Sequence, residues 1–231
     1  MPEYVVEFGK GGPPPEPDGR LDAPAYHRNC EPIWSVLGPF LQGKAGDVLE
    51  IGSGTGQHVV DFARRAPQLA WWPSDCNAAH LHSINAWRAF AQLANVRAPL
   101  RLDLTAPDWA LGAPRDDGLP KAFLAILCVN VLHIAPWRAA EGLLAGAARH
   151  LRPDGRLFVY GPFVRGGRHT AESNAAFDAS LRRADPAWGV RDTDALADLA
   201  AHAGLTLATI TEMPANNLVL TFARDTRAGE P

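Results

Sequence analysis

An acid, three alternate glycines and two later acids, each near the end of an apolar run, are the residues of this chain best suited to hold a nucleoside. Val48-Leu49-Glu50-Ile51 leads into Gly52-Ser53-Gly54-Thr55-Gly56. Alternate glycines, which lack a Cβ, let backbone turn tightly and approach a ligand where a side chain would collide. From Gln57 to Ala63 the apolar residues fall at helical spacing, so the loop opens a helix whose free N–H groups point at the ligand. Two further apolar runs, Leu69 to Asp75 and Ala98 to Leu104, carry Asp75 and Asp103 near their ends. A carboxylate offers two acceptor oxygens, which suits Asp75 to both hydroxyls of a ribose and Asp103 to an adenine amino group. Either aspartate alone would serve equally as a helix cap. A dinucleotide fingerprint needs a small residue where this chain has Gln57, and a pyrophosphate gains nothing from a nearby Glu50, so a dehydrogenase is disfavoured.

Chemistry of this kind needs a scaffold that gathers several strand ends. Helical periodicity over Ala25 to Leu41 places Ile33, Trp34, Leu37 and Phe40 on one side, ahead of the first strand. Ala78 to Leu93 reads as helix, and Ala122 to Val129 as a strand covered on both faces. Pro136 sits at a helix start, and that helix runs through His150 and stops before Pro153-Asp154-Gly155. A fifth strand over Arg156 to Gly161, helices over Glu172 to Ala184 and Thr193 to Ala203, and strands over Leu205 to Met213 and Leu218 to Phe222 complete the series. The alternation predicts a doubly wound, mostly parallel α/β sheet of seven strands, and the short Pro214 to Asn217 link requires an antiparallel closing strand. Ligands in such sheets lie beyond the carboxyl ends of the strands, where Glu50, Asp75, Asp103 and Asn130 all fall.

Composition narrows the partners. With 231 residues, 47% hydrophobic and 20% charged, the chain suits one globular domain with a core on both faces of a sheet. Its net charge of −3 and lack of a basic run favour a small-molecule partner over nucleic acid, and the absence of a long apolar run argues against a membrane. A cytoplasmic protein is expected. The cysteines, Cys30, Cys76 and Cys128, are odd in number and scattered, against a disulfide framework or zinc site. His80 and His82 fall in a predicted helix, where i and i+2 point apart, so no metal is expected. The expected organisation is a flexible Gly/Pro-rich arm over 1–22, a domain over 23–224 and a flexible tail over 225–231.

The pattern acid-x-Gly-x-Gly-x-Gly over Glu50 to Gly56 resembles the first motif of class I S-adenosylmethionine-dependent methyltransferases. That resemblance implies a Rossmann-like seven-stranded fold and a cofactor with an ammonium group, for which Glu50 is suited. It implies cofactor contacts from Glu50, Gly52, Ser53, Gly54, Gly56, Gln57, Asp75, Asp103, Leu104 and Asn130. Residues after the fourth strand lie between sulfonium and acceptor in such enzymes, so His133 is a candidate general base, or a residue that shapes the pocket.

A narrower likeness is carried by His133-Ile134-Ala135-Pro136-Trp137, Tyr160-Gly161-Pro162-Phe163, His169-Thr170, Ser173 to Asp178, Asp185 to Gly189 and Met213 to Asn217. From about Ala25 to Phe222 the chain is similar to the domain-of-unknown-function family that includes the vertebrate methyltransferase-like protein twenty-six. It departs from that pattern in having Tyr26-His27 before Arg28-Asn29, with Cys30 behind. Polar residues of these segments, Arg28, Asn29, His169, Asn174 and Asn217, are candidates for an acceptor pocket with Trp137 as a wall. Amides suit an uncharged polar substrate and an Arg a carboxylate. Turn chemistry, helix capping, surface charge and core packing are the plain alternatives for each. The implied activity is methyl transfer to a small molecule, at N, O, S or C. A noncatalytic cofactor-binding protein, or transfer of another group from the same sulfonium, would share these features.

Overall fold

The computed structural model describes residues 14–225 apart from 107, 110 and 112–117. Residues 1–13 of the expected arm and 226–231 of the expected tail lie outside the described residues. Helix α1 (Pro24–Leu41) has proline in its first turn, where the missing N–H removes no helical bond, and buries Ile33, Leu37 and Leu41. There follow β1 (Gly46–Ile51), α2 (Gln57–Arg65), β2 (Leu69–Asp75), α3 (Ala78–Ala91), β3 (Leu100–Arg101), β4 (Phe123–Val129), α4 (Trp137–His150) and β5 (Leu151–Arg165). The rest are β6 (Arg168–His169), α5 (Glu172–Ala184), β7 (Arg191–Asp192), α6 (Thr193–His202), β8 (Leu205–Met213) and β9 (Asn217–Arg224).

The sheet runs β3-β2-β1-β4-β5-β9-β8, with β6 and β7 attached to β5. Pairing is parallel from β3 to β5, while β9 is antiparallel to both β5 and β8. This is the doubly wound sheet with an antiparallel closing strand that the sequence predicts. Strand order reverses between β1 and β4, so the crevice of such a sheet opens at Ile51 and Val129. Every residue of β4 is buried, which explains its unbroken apolar run. Successive residues of β1 and β4 serve opposite cores. Leu49, Ile51, Ile126 and Cys128 pack with Leu143 and Leu144 of α4, whereas Val48, Leu127 and Trp71 pack with Phe62 of α2 and Leu37 of α1. Each such side chain, taken from water, stabilises the fold by roughly 1.5–3 kcal/mol.

Three expectations are corrected. The strand expected over Ala98 to Leu104 shrinks to Leu100–Arg101, because only Ser74 and Asp75 of β2 offer it a partner and Asp103 then caps a turn. The fifth strand extends well beyond Arg156 to Gly161, since β9 pairs with it through Pro162 and its end recruits β6 and β7. Residues 20–22, expected in the flexible arm, are bonded to the body: Leu21 N–H donates to Ser83 Oγ at 2.9 Å, and Trp87 Nε1 donates to the Leu21 carbonyl at 2.8 Å. No helix among the described residues is long and apolar enough to cross a membrane.

Candidate functional site

The glycine loop stands at the end of β1 in the expected shape. Gly52, Gly54 and Gly56 take φ of +66°, +55° and +91°, a region that side chains with a Cβ rarely adopt. Close approach adds a second requirement at two of them. A Cβ on Gly52 would come within 2.5 Å of Val131 in the turn after β4, and one on Gly56 within 3.0 Å of the Ile84 backbone in α3. Ser53 fastens the loop to β2, its N–H donating to the Ser74 carbonyl at 2.8 Å and its Oγ accepting from Ser74 N–H at 3.1 Å.

Four carboxylate or amide groups stand at or just beyond the ends of β1 to β4. Glu50 is 1% exposed, and its Oε2 has no hydrogen-bond partner among the described residues. Burial, reinforced by the negative charge of Asp75 and opposed by Ser53, pushes its carboxyl up to about 8. An acid held at that cost, with an oxygen unsatisfied, is a site prepared for a cation. Asp75 accepts from Gly54 N–H at 2.9 Å through Oδ2 and from Asn77 N–H at 2.9 Å through Oδ1, and His80 Nδ1 lies 3.2 Å from Oδ2. Both carboxylate oxygens are thus engaged by the protein, Oδ1 by one N–H alone, where the sequence had offered both to a ligand. Asp103 accepts from Thr105 N–H and Oγ1 on Oδ1, each at 2.8 Å, and no bond to its Oδ2 is formed among the described residues. Asn130, at φ +58°, follows β4 directly, with its N–H donating to the Tyr160 carbonyl.

Two residues expected at this ligand have other duties. Gln57 Oε1 accepts from Ala23 N–H and Thr55 Oγ1, and its Nε2 donates to Asp22 Oδ1 at 2.6 Å, so the amide ties the start of α1 to α2. Leu104 is buried in the core, and its carbonyl packs against Gly142 of α4.

Beside Asn130 opens a cleft of about 500 Å³ walled by α1, the turn after β4, β5, α5 and the β8–β9 turn. Arg28, Asn29, Asn130, His133, Asn174 and Asn217 all line it, so the structure gathers most of the candidate acceptor residues in one place. His133 occupies a short turn, Leu132–Ile134, and Phe177 meets its ring edge-on at 5.4 Å. Burial, with the Arg191 charge nearby, brings its imidazole down to about 4, so it is neutral at physiological pH. Arg191 holds that turn by donating to the carbonyls of Leu132 and Ala135, and Gly189 N–H donates to the His133 carbonyl at 3.0 Å.

Trp137 and His169 are not among the lining residues. Trp137 packs against the core under the Arg191 guanidinium, and His169 pairs with Asp178, Nε2 to Oδ2 at 3.6 Å. Conversely, Tyr160, Pro162 and Phe177 line the cleft, although the sequence marked them only as members of family segments. Their position at the end of β5 and on α5 was the available signal. No group of three or more metal-ligating side chains is found among the described residues.

The family described as "Protein of unknown function (DUF938)" matches over residues 20–224. Among solved structures, an O-methyltransferase family protein from Burkholderia thailandensis superposes with a TM-score of 0.70 at 20% identity, over 89% of this chain and 58% of that one. CalO1, a methyltransferase in calicheamicin biosynthesis solved with SAH bound, gives 0.61 at 18% identity, over 78% and 49%. The mitomycin 7-O-methyltransferase MmcR gives 0.65 at 19% identity, over 80% and 50%. This chain spans about half the length of these proteins, and the likeness at such identities is one of fold.

Proposed function

The chain belongs to the DUF938 family, and from that premise together with the geometry of its site we propose that it is an S-adenosylmethionine-dependent methyltransferase acting on a small molecule. The observation that carries this reading is the buried, unsatisfied Glu50 beneath a positive-φ glycine loop, since an ammonium group on the ligand would satisfy it. Glu50 would hold that ammonium, Asp75 a ribose hydroxyl and Asp103 Oδ2 the adenine amine, with the loop backbone against the ligand. The bound cofactor supplies an already activated methyl group. The chain's own task is then to align the acceptor and exclude water. Neutral His133, which lines the cleft, would be the group to take the proton of an acceptor hydroxyl, whereas an acceptor already ionised, or a neutral amine, needs positioning alone.

Calorimetry with S-adenosylmethionine and S-adenosylhomocysteine tests the cofactor directly. Gly54→Val should abolish binding through blocked backbone approach, and Asp75→Ala should weaken it by about tenfold or more through loss of a charged acceptor. Heat with NAD(H) and none with either sulfur nucleoside would refute the assignment. Incubation with methyl-labelled cofactor and a metabolite extract, read by mass spectrometry, then separates an enzyme from a protein that binds without turnover.

A further inference from the structure

Within the methyltransferase reading, on which this inference rests, the polar groups that α1 and β5 bring to the cleft differ in kind from those of α5 and the β8–β9 turn. His58, in the first turn of α2, places Nε2 2.8 Å from Asn29 Oδ1, and burial keeps its imidazole neutral. With Nε2–H donating to that oxygen, the amide nitrogen of Asn29 is the group left to bond the Tyr160 hydroxyl. The phenol oxygen then accepts, and its own O–H remains to donate into the cleft that Tyr160 lines. Arg28, exposed beside Asn29 on the same wall, forms no ion pair among the described residues. This end of the cleft offers donors and a positive charge.

The groups supplied by α5 and the β8–β9 turn are opposite in kind. Asn174 commits both amide hydrogens, to Thr170 Oγ1 and the Asn216 carbonyl, each at 3.0 Å. Asn217 donates to the carbonyls of Pro214 at 3.2 Å and Ala215 at 3.4 Å. Each is left with an Oδ1 that accepts nothing from the described residues, and both residues line the cleft. No carboxylate among the described residues lines it, and apolar surface from Ile134, Pro162 and Phe177 lies in the same cleft.

We propose that the acceptor is a small acid with an amine or hydroxyl at its other end. Its anionic group meets Arg28 and Tyr160, its N–H or O–H meets the amide oxygens of Asn174 and Asn217, and an apolar body spans the middle. Charged donors bind an anion more strongly than a neutral isostere, and an amide oxygen left bare by an apolar ligand end loses a bond.

The test uses three probes on the full chain loaded with S-adenosylhomocysteine: 4-aminophenylacetate, its amide 4-aminophenylacetamide, and phenylacetate. Titration calorimetry should find the first bound about tenfold or more tightly than either of the others. Arg28→Gln should bring the acid to the affinity of the amide while leaving the amide unchanged, and Arg28→Lys should keep part of the preference. Because Arg28 is exposed, an unchanged melting temperature will show that the variants fold. The inference fails if the amide binds as well as the acid, if none of the three binds, or if Arg28→Gln leaves the acid's affinity intact. In each of those cases the heat of S-adenosylhomocysteine binding leaves the methyltransferase reading standing. Absence of that heat overturns the reading instead, and the same three titrations on the unloaded chain then decide the cleft's preference.

Discussion

Glu50 and His133 carry opposite pH signatures because burial shifts acids and bases in opposite directions. Glu50, raised to about 8 from a usual 4.5, is protonated in the folded chain at neutral pH and ionised in the unfolded one. Its contribution to stability is complete below pH 4.5 and is lost as pH rises toward 8, a loss of about 3 kcal/mol at pH 7. Glu50→Gln should therefore raise the stability of the ligand-free protein at pH 7 by up to about 3 kcal/mol while weakening S-adenosylmethionine about 10- to 100-fold. Denaturation and calorimetry on one preparation check both halves; a variant that is less stable yet binds normally would show that Glu50 serves the fold alone. His133 and His58, both lowered to about 4, act the other way: the unfolded chain binds their protons first, so stability is lost as pH falls from 6.5 to 4. At the acceptor, His133→Asn should leave cofactor affinity intact. If His133 is the base, the methyl-transfer rate should fall about 10²-fold, with an inflection near pH 4 in the wild type and none in the variant. An unchanged rate and profile assigns the residue to shaping the pocket.

At the scale of elements, α4 determines where the segment carrying Asp103 can lie. Gly142 and Gly146 face it, and a Cβ on the first would overlap the Leu104 carbonyl, on the second the Trp109 ring. Backbone cannot rotate away as a side chain can, so Gly142→Ala should cost about 1–3 kcal/mol of stability despite alanine's better helix propensity. The displaced Asp103 should also weaken S-adenosylhomocysteine severalfold, which a melt and a titration together will reveal; normal values for both would show the contact to be slack. Nothing in the sequence marked these glycines, because a small residue inside a helical pattern carries no sign of what approaches it. The elements buried along almost their whole length were legible: β2 and β4 fall where their apolar runs put them. Edge strand β3 was not, since its length depends on how much of β2 faces it. The positions of Glu50 within β1, Asp75 at the end of β2 and Asn130 directly after β4 were legible from the apolar runs, whereas Asp103 lies in a turn two residues beyond β3. The engagement of Gln57 by Asp22 and Ala23 was hidden, being a contact between segments far apart in sequence.

For the molecule as a whole, residues 20–23 close the N-terminal side by binding α2 and α3 at once. Arg20 lies over Phe90 and Trp87, Leu21 bonds Ser83 and Trp87, and Asp22 bonds Gln57. Deleting residues 1–18 should leave the melting temperature within about 2 °C of the full chain, whereas deleting 1–23 removes bonds worth about 3 kcal/mol and should lower it by about 6–12 °C. Equal effects of the two deletions, measured by scanning calorimetry, would contradict this division. The position of β9 has a different consequence, for the order in which the chain is made. It lies between β5 and β8 in the sheet yet follows both in sequence. During translation the Arg156–Pro162 edge of β5 must wait for Asn217–Ala223, some fifty residues later, which at ribosomal speed is about 3–10 s. Through that interval the nascent chain presents an unpaired strand edge, and the sheet closes only when its penultimate place is filled by the last strand to emerge.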